Sequence, residues 1–175
     1  YNLYDGVYNL QLTDNFGCVF DTTFFMIEPT PIISSYTAPL LSNGYHNICV
    51  GGQDGYIDLT VSGSVPYYTY QWSNGASTSN ISNLLAGTYT YIVTDQNGCV
   101  TSDSIVITEP ILNIFDSVNH VSCAGGIDGS VSVSVSGSTS PYYIFWDNNI
   151  NTSMLESGVY SYQIIDSIGC SYNHT

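Results

Sequence analysis

Five cysteines and three histidines are the residues of this chain best suited to chemistry, and they recur along the sequence rather than clustering in it. Cys49-Val50-Gly51-Gly52-Gln53-Asp54-Gly55 returns as Cys123-Ala124-Gly125-Gly126-Ile127-Asp128-Gly129, and the stretches Gly6 to Cys18, Gly87 to Cys99 and Gly158 to Cys170 are three versions of one pattern. His46 and His120 each stand three residues before a cysteine, a spacing that raises the question of a metal, and His174 stands apart. One Cys and one His per repeat fall short of the four ligands a structural zinc needs, so loop histidines are the expectation. No nucleophile elbow, phosphate-binding glycine loop or His-Glu-x-x-His occurs, and the carboxylates do not recur in pairs as a glycosidase requires, so no enzyme is expected. Asp54, Asp58, Asp95 and Asp128 are hard oxygen donors for calcium, but no segment gathers enough of them for a full site. Asp95 and Asp166 read instead as turn residues accepting local backbone hydrogen bonds. No cofactor is therefore expected, calcium being the one alternative. Tyr67, Tyr68, Tyr70, Tyr142 and Tyr143 suggest either a sugar-stacking platform or ordinary packing, and strand alternation favours packing for most of them.

The 175 residues contain no Lys or Arg against 14 Asp and Glu, while 43% are hydrophobic. Enough apolar material is present to fold, and nothing basic is present to neutralise phosphates. Nucleic acid and anionic membrane surfaces are excluded as partners on that ground. No apolar run approaches the ~18 residues of a membrane span, and no basic leader with an apolar core opens the chain. Because Tyr1 enters in the middle of a repeat, the segment reads as a window on a longer polypeptide.

The elements that must position these residues are short and alternate with period two. Tyr56 to Val61 places Ile57, Leu59 and Val61 on one face, and Ser130 to Val135 repeats the alternation. Asp54-Gly55, Asn74-Gly75 and Asn97-Gly98 separate the runs as turn signals. The expected fold class is all-β, with tandem Ig-like (PKD-like) β-sandwich repeats of about seven strands each. Trp72 and Trp146 are expected on the core strand C, and Leu84 to Tyr89 has the form of a tyrosine corner at the start of strand F. A three-residue deletion between Trp146 and Gly158 falls in a loop. The expected division is 1–31, the C-terminal part of a preceding repeat; 32–110, a complete repeat; and 111–175, a second repeat truncated at its C-terminal strand. Tyr1 to Glu28 is then only a strand F and G hairpin, expected to need a core from outside the segment.

Cys-x-Gly-Gly-x-Asp-Gly, Val-Ser-Gly, Pro-Tyr-x-x-x-Trp, Ala-Gly-Thr-Tyr, Thr-Asp-x-Asn-Gly-Cys and Thr-Glu-Pro, seen in full from Cys49 to Pro110, resemble the SprB-type repeat of gliding-motility adhesins. The resemblance implies an extracellular, cell-surface protein of the Bacteroidota, exported by type IX secretion, with repeats in long arrays forming a stalk or filament. Its implied partners are neighbouring repeats of the same chain, lateral chains, and a cell-surface or polysaccharide ligand bound outside this segment. A carbohydrate-binding accessory module of a secreted protein is the alternative. For surface proteins of this kind the pattern Asp, then Ser or Thr, then an aliphatic residue or Thr marks O-glycosylation, which makes Thr22, Ser104, Ser117 and Ser167 candidates. The N-glycan sequons at Asn80, Asn151 and Asn173 are discounted in a bacterium.

In an exported β-protein, Cys18, Cys49, Cys99, Cys123 and Cys170 are expected in disulfides rather than as free thiols. Two pairings of Cys49 stand. Bonding to Cys99, with Cys123 to Cys170, closes each repeat on itself at roughly 4 kcal/mol per loop. In an Ig-like topology, however, those two cysteines lie at opposite ends of a sandwich, ~26 Å apart by strand length, where a disulfide needs Cα atoms within about 7 Å. In a head-to-tail stack Cys49 instead meets Cys170 of the next repeat. That argument favours the cross-repeat pairing and sends Cys18, Cys99 and Cys123 to partners outside the segment.

Overall fold

The computed structural model describes residues 3–175, and Tyr1, where the first partial repeat was expected to open, lies outside them. Thirteen β-strands and no α-helix make the described chain all-β. The middle repeat is a sandwich of two three-stranded antiparallel sheets. One contains β3 (Ile33–Thr37), β4 (Gly55–Ser62) and β6 (Asn80–Leu84), and the other contains β5 (Thr69–Trp72), β7 (Gly87–Thr94) and β8 (Val100–Ile107). These correspond to strands A-B-E and C-F-G of an Ig-like sandwich. Six strands form where seven were expected, because the chain passes from β5 to β6 through a tight turn. The Trp72 N–H bonds to the Ala76 carbonyl at 2.9 Å and the Gly75 N–H to the Trp72 carbonyl at 3.0 Å, leaving no length for a strand D.

Alternation explains the core. Ile57 and Leu59 from β4, Ile81 and Leu84 from β6, Trp72 from β5, Tyr91 and Val93 from β7, and Ile105 and Ile107 from β8 are all buried between the two sheets. The Trp72 ring lies 5.2 Å from that of Tyr91, and its indole N–H reaches the Thr78 carbonyl at 2.9 Å, so the buried polar atom is satisfied. Tyr68 and Tyr70 pack against this cluster while Tyr67 is 83% exposed, which divides strand C into an inner and an outer face. The tyrosine corner is present three times over. The hydroxyls of Tyr8, Tyr89 and Tyr160 donate to the carbonyls of Tyr4, Leu85 and Glu156 at 2.9, 3.1 and 2.9 Å.

The third repeat pairs β9 (Leu112–Asn119) with β10 (Ser130–Gly137), and β11 (Tyr142–Trp146) with β12 (Tyr162–Asp166) and β13 (Ser171–His174). The deletion after Trp146 shortens its strand E to the single bridge Gly129–Leu155, and a 3-10 turn at Asp147–Asn149 takes up the chain. The opening segment forms a hairpin of β1 (Gly6–Thr13) and β2 (Val19–Met26), with eight residue pairs in continuous register. Leu10 and Leu12 are 42% and 54% exposed and Tyr8 is half-buried, so the apolar positions expected to pack on a core from outside the segment have no cover within it. Across its ladder Thr23 Oγ1 donates to Asn9 Oδ1 at 2.9 Å.

Trp72 is 3% exposed between the two sheets of the middle repeat. Trp72→Ala is expected to cost about 3–5 kcal/mol, read as a fall in the urea midpoint by circular dichroism. A loss below about 1 kcal/mol would show that the sandwich closes without it.

Candidate functional site

The feature that recurs in all three repeats is a turn opened by Asp and closed by Cys. Asp95 Oδ1 accepts the N–H groups of Asn97 and Cys99 at 2.9 and 2.8 Å. Asp166 Oδ1 does the same for Ile168 and Cys170 at 3.1 and 2.9 Å, and Asp14 Oδ1 for Phe16 and Cys18 at 2.8 and 2.9 Å. The second oxygen ties the turn to the loop between the second and third strands of its repeat. The Ser64 hydroxyl donates to Asp95 Oδ2 at 2.5 Å and the Ser138 hydroxyl to Asp166 Oδ2 at 2.6 Å. Short polar Asp is suited to this because its carboxylate reaches the amides two and four residues ahead without leaving the ladder.

At the opposite end of the sandwich sits the Cys-x-Gly-Gly-x-Asp-Gly loop. The Gly52 N–H returns to the Cys49 carbonyl at 3.0 Å across Gly51, whose φ of +72° favours glycine, and Gly126 returns to Cys123 at 2.9 Å across Gly125 at +78°. A Cβ on Gly52 would lie 2.9 Å from the Cys49 oxygen, so the second glycine is required by close approach. The aspartate of the motif clamps the loop from outside the turn. Asp54 Oδ2 accepts the Ile48 N–H, and Asp128 Oδ1 the Ser122 N–H, both at 3.0 Å.

The first of these loops and the last of these turns meet. Cys49 and Cys170 are joined by a disulfide with Cα atoms 5.5 Å apart and a sequence separation of 121. Cys170 is 2% exposed. Cys18, Cys99 and Cys123 carry free, exposed thiols. Around the loop, the Gly51 N–H donates to Glu109 Oε2 at 2.6 Å, and Thr108 donates its N–H to His46 Nδ1 at 3.0 Å, with its hydroxyl 2.8 Å from the same nitrogen. Asn47 is fully buried, and its side-chain oxygen accepts the Gly55 N–H at 2.6 Å. The sequence offered no signal for Asn47, because the third repeat has Val121 in its place. His46 and Glu109 were visible as recurring or repeat-closing residues, but not as braces of the cysteine loop.

Elsewhere the polar groups are occupied locally. Among the described residues, no three His, Cys, Asp or Glu gather as a metal would require. Of the glycan candidates, Ser104, Ser117 and Ser167 are exposed and Thr22 is half-buried. Ser104 and Ser117 lie on strands, while the Ser167 hydroxyl donates to the carbonyls of Thr139 and Ser140. A cleft of about 540 Å³ opens in the third repeat beside Trp146, Leu155, Gly158 and Tyr160. Gly158 and Tyr160 correspond to Gly87 and Tyr89, which pair with the core residues Ile107 and Ile105 in the middle repeat, so this cleft is sandwich interior. At its edge Tyr162 donates to Asp116 Oδ1 at 2.6 Å, and His174 Nε2 lies 3.1 Å from Asp116 Oδ2. Burial, then the bond to Asp116 and its charge, push the Tyr162 phenol upward, so it remains protonated.

Ser64 first, and then the turn amides, hold the Asp95 carboxyl below its ordinary value of 3.8 against the opposing effect of burial. Ser122 does the same for Asp128 through its hydroxyl and its N–H. A carboxyl lowered on folding contributes stability that is complete above the unfolded value and is lost as pH falls through the folded one. Melting temperature is therefore expected to fall below about pH 3.8. Asp95→Asn should lower the plateau and flatten that acid limb, and an unchanged limb would remove Asp95 from the account.

Comparison with known proteins finds no match among curated sequences. Against family models two stretches match, each running through a cysteine loop and past the core tryptophan of its repeat. Residues 47–77 and 116–151 each match the model of the SprB repeat.

Proposed function

We propose that this chain is a tension-carrying stalk segment of a large exported bacterial surface adhesin, in which disulfides run from one repeat to the next. The observation that carries the reading is the Cys49–Cys170 bond, which links the cysteine loop of one SprB-matching repeat to the Asp-capped turn of the next. SprB repeats occur in cell-surface proteins, and among the described residues no helix is long and apolar enough to cross a membrane. Type IX export, gliding motility, lateral chains, and a surface or polysaccharide ligand bound outside this segment belong to the same proposal.

The mechanical consequence follows from connectivity. A force applied between the ends of the chain passes from Cys49 to Cys170 through the sulfur atoms, and the chain between them, a sequence separation of 121, bears no extension. At ~3.4 Å per residue, ~400 Å of contour is withheld from the stretched length. The cross-link also lowers the entropy of the unfolded chain, by about 5 kcal/mol in the loop-closure account for a loop of this size. Both effects suit a spacer that must keep its length under load.

Single-molecule stretching of the chain in oxidising and in reducing buffer tests this. Reduction should release ~400 Å of additional contour, and equal contour lengths in the two buffers would remove the covalent load path. For the proposed glycosylation, native material should exceed its polypeptide mass by sugar increments at two or more of Thr22, Ser104, Ser117 and Ser167. A bare intact mass would dismiss that part alone.

A further inference from the structure

The formed junction has two halves, and each half exists again in this chain without its partner. The Cys123 loop repeats the two bonds that shape the Cys49 loop from within, the glycine N–H returning to the cysteine carbonyl and the motif aspartate accepting the preceding N–H, without the braces from Asn47, Thr108 and Glu109. The Cys99 turn repeats the Cys170 turn in the same way. Asp95 N–H to the Cys99 carbonyl and Asp166 N–H to the Cys170 carbonyl are both 3.0 Å, and each cysteine N–H is held by its aspartate. The Cys18 turn is a third example, with Asp14 N–H to the Cys18 carbonyl at 3.0 Å. All three thiols are exposed.

We infer that the Cys123 loop is an acceptor for the Asp-capped cysteine turn of another repeat of this kind, so that a second copy docks there through Cys18 or Cys99 and not through its own Cys123. This rests on the stalk reading and adds polarity to it. A disulfide needs Cα atoms within about 7 Å and convergent Cβ directions, and the Cys49–Cys170 pair at 5.5 Å shows that loop and turn backbones supply both. Two loops, or two turns, have no such demonstrated fit. Charge opposes the approach, the chain carrying -14, but the acids nearest the cysteines, Asp128, Asp95 and Asp14, aim an oxygen at N–H groups of their own loop or turn. At physiological salt the remaining repulsion is screened beyond ~8 Å. The contact is heterologous, loop to turn, and therefore extends rather than closes.

Bond formation consumes one oxidised glutathione. Two protein thiols give up two protons and two electrons, and two molecules of reduced glutathione leave. The test uses the full 175-residue chain in two forms: one with Cys18→Ser and Cys99→Ser, leaving only Cys123 free, and one with Cys123→Ser, leaving Cys18 and Cys99 free. Each is incubated alone and then mixed with the other in a glutathione redox buffer at physiological salt. Products are read on non-reducing gels and by peptide mapping with an aspartate-directed protease, since trypsin has no site. The mixture should yield the heterodimer at least about tenfold in excess of either homodimer, a bias of 1.4 kcal/mol. Comparable homodimers, or thiols capped only by glutathione, would overturn the inference. If the same maps lack the Cys49–Cys170 peptide, the stalk reading fails. If that peptide is present while dimerisation is indiscriminate, only the polarity fails.

Discussion

In a chain with no Lys or Arg, the carboxylates that find protein partners bond mostly to backbone N–H groups and hydroxyls. Of its 14 acidic residues, Asp14, Asp95 and Asp166 each hold two turn amides, Asp54 and Asp128 each clamp a glycine loop, and Glu109 braces the first of those loops. Among the described residues the single carboxylate–imidazole contact is Asp116 with His174. Charge is spent on shaping loops rather than on pairing side chains. Such bonds are roughly twice as strong as neutral ones, and because the donors lie within a few residues they ask little further ordering of the chain. The result is a sandwich whose two ends are its best-defined loops.

That definition is what allows a disulfide between repeats. A bond across a junction needs two backbones presented at fixed distance and direction, and a flexible loop would present neither. The turn holds Cys170 through its N–H, and the loop holds Cys49 through its carbonyl, so each cysteine is fixed at a main-chain atom next to its Cα. The braces that reach Cys49 from the following segment, Thr108 to His46 and Glu109 to Gly51, come from the link between the two repeats. The linker thus holds the loop that bonds to the domain it leads into. Tension, loop shape and domain order are coupled at one place.

The two sandwiches differ in how completely they close. In the middle repeat, β6 and the full length of β8 bring Ile81, Leu84, Ile105 and Ile107 over Trp72 and Tyr91. In the third, strand E is a single bridge and Trp146 remains half-buried against Tyr162, with ring centroids 4.7 Å apart. The cleft beside it runs along that bridge, with Gly129 and Leu155 in its lining. Its polar edge, the Asp116 contacts to Tyr162 and His174, is a local solution of the third repeat, whereas Tyr91 bonds instead to the Ser34 hydroxyl at 2.9 Å.

Period-two alternation, recurring turn residues and two in-register tryptophans determined by themselves that the chain is all-β and where its core faces point. These are local properties, written in neighbouring residues, and the inner positions Ile57, Leu59 and Trp72 could be read directly. Asp95 and Asp166 were legible as turn residues for the same reason. Strand number was not, because whether strand D forms depends on how tightly the turn after Trp72 closes. Nor was the state of the first hairpin, whose exposed Leu10 and Leu12 alternate as core residues would. Asn47 and Glu109 acquire their roles only when segments far apart in sequence meet. The partner of Cys49 is a matter of tertiary structure in the same sense. Spacing leaves Cys99 and Cys170 both open, and only the placement of loop and turn in space brings one cysteine within bonding distance of the other.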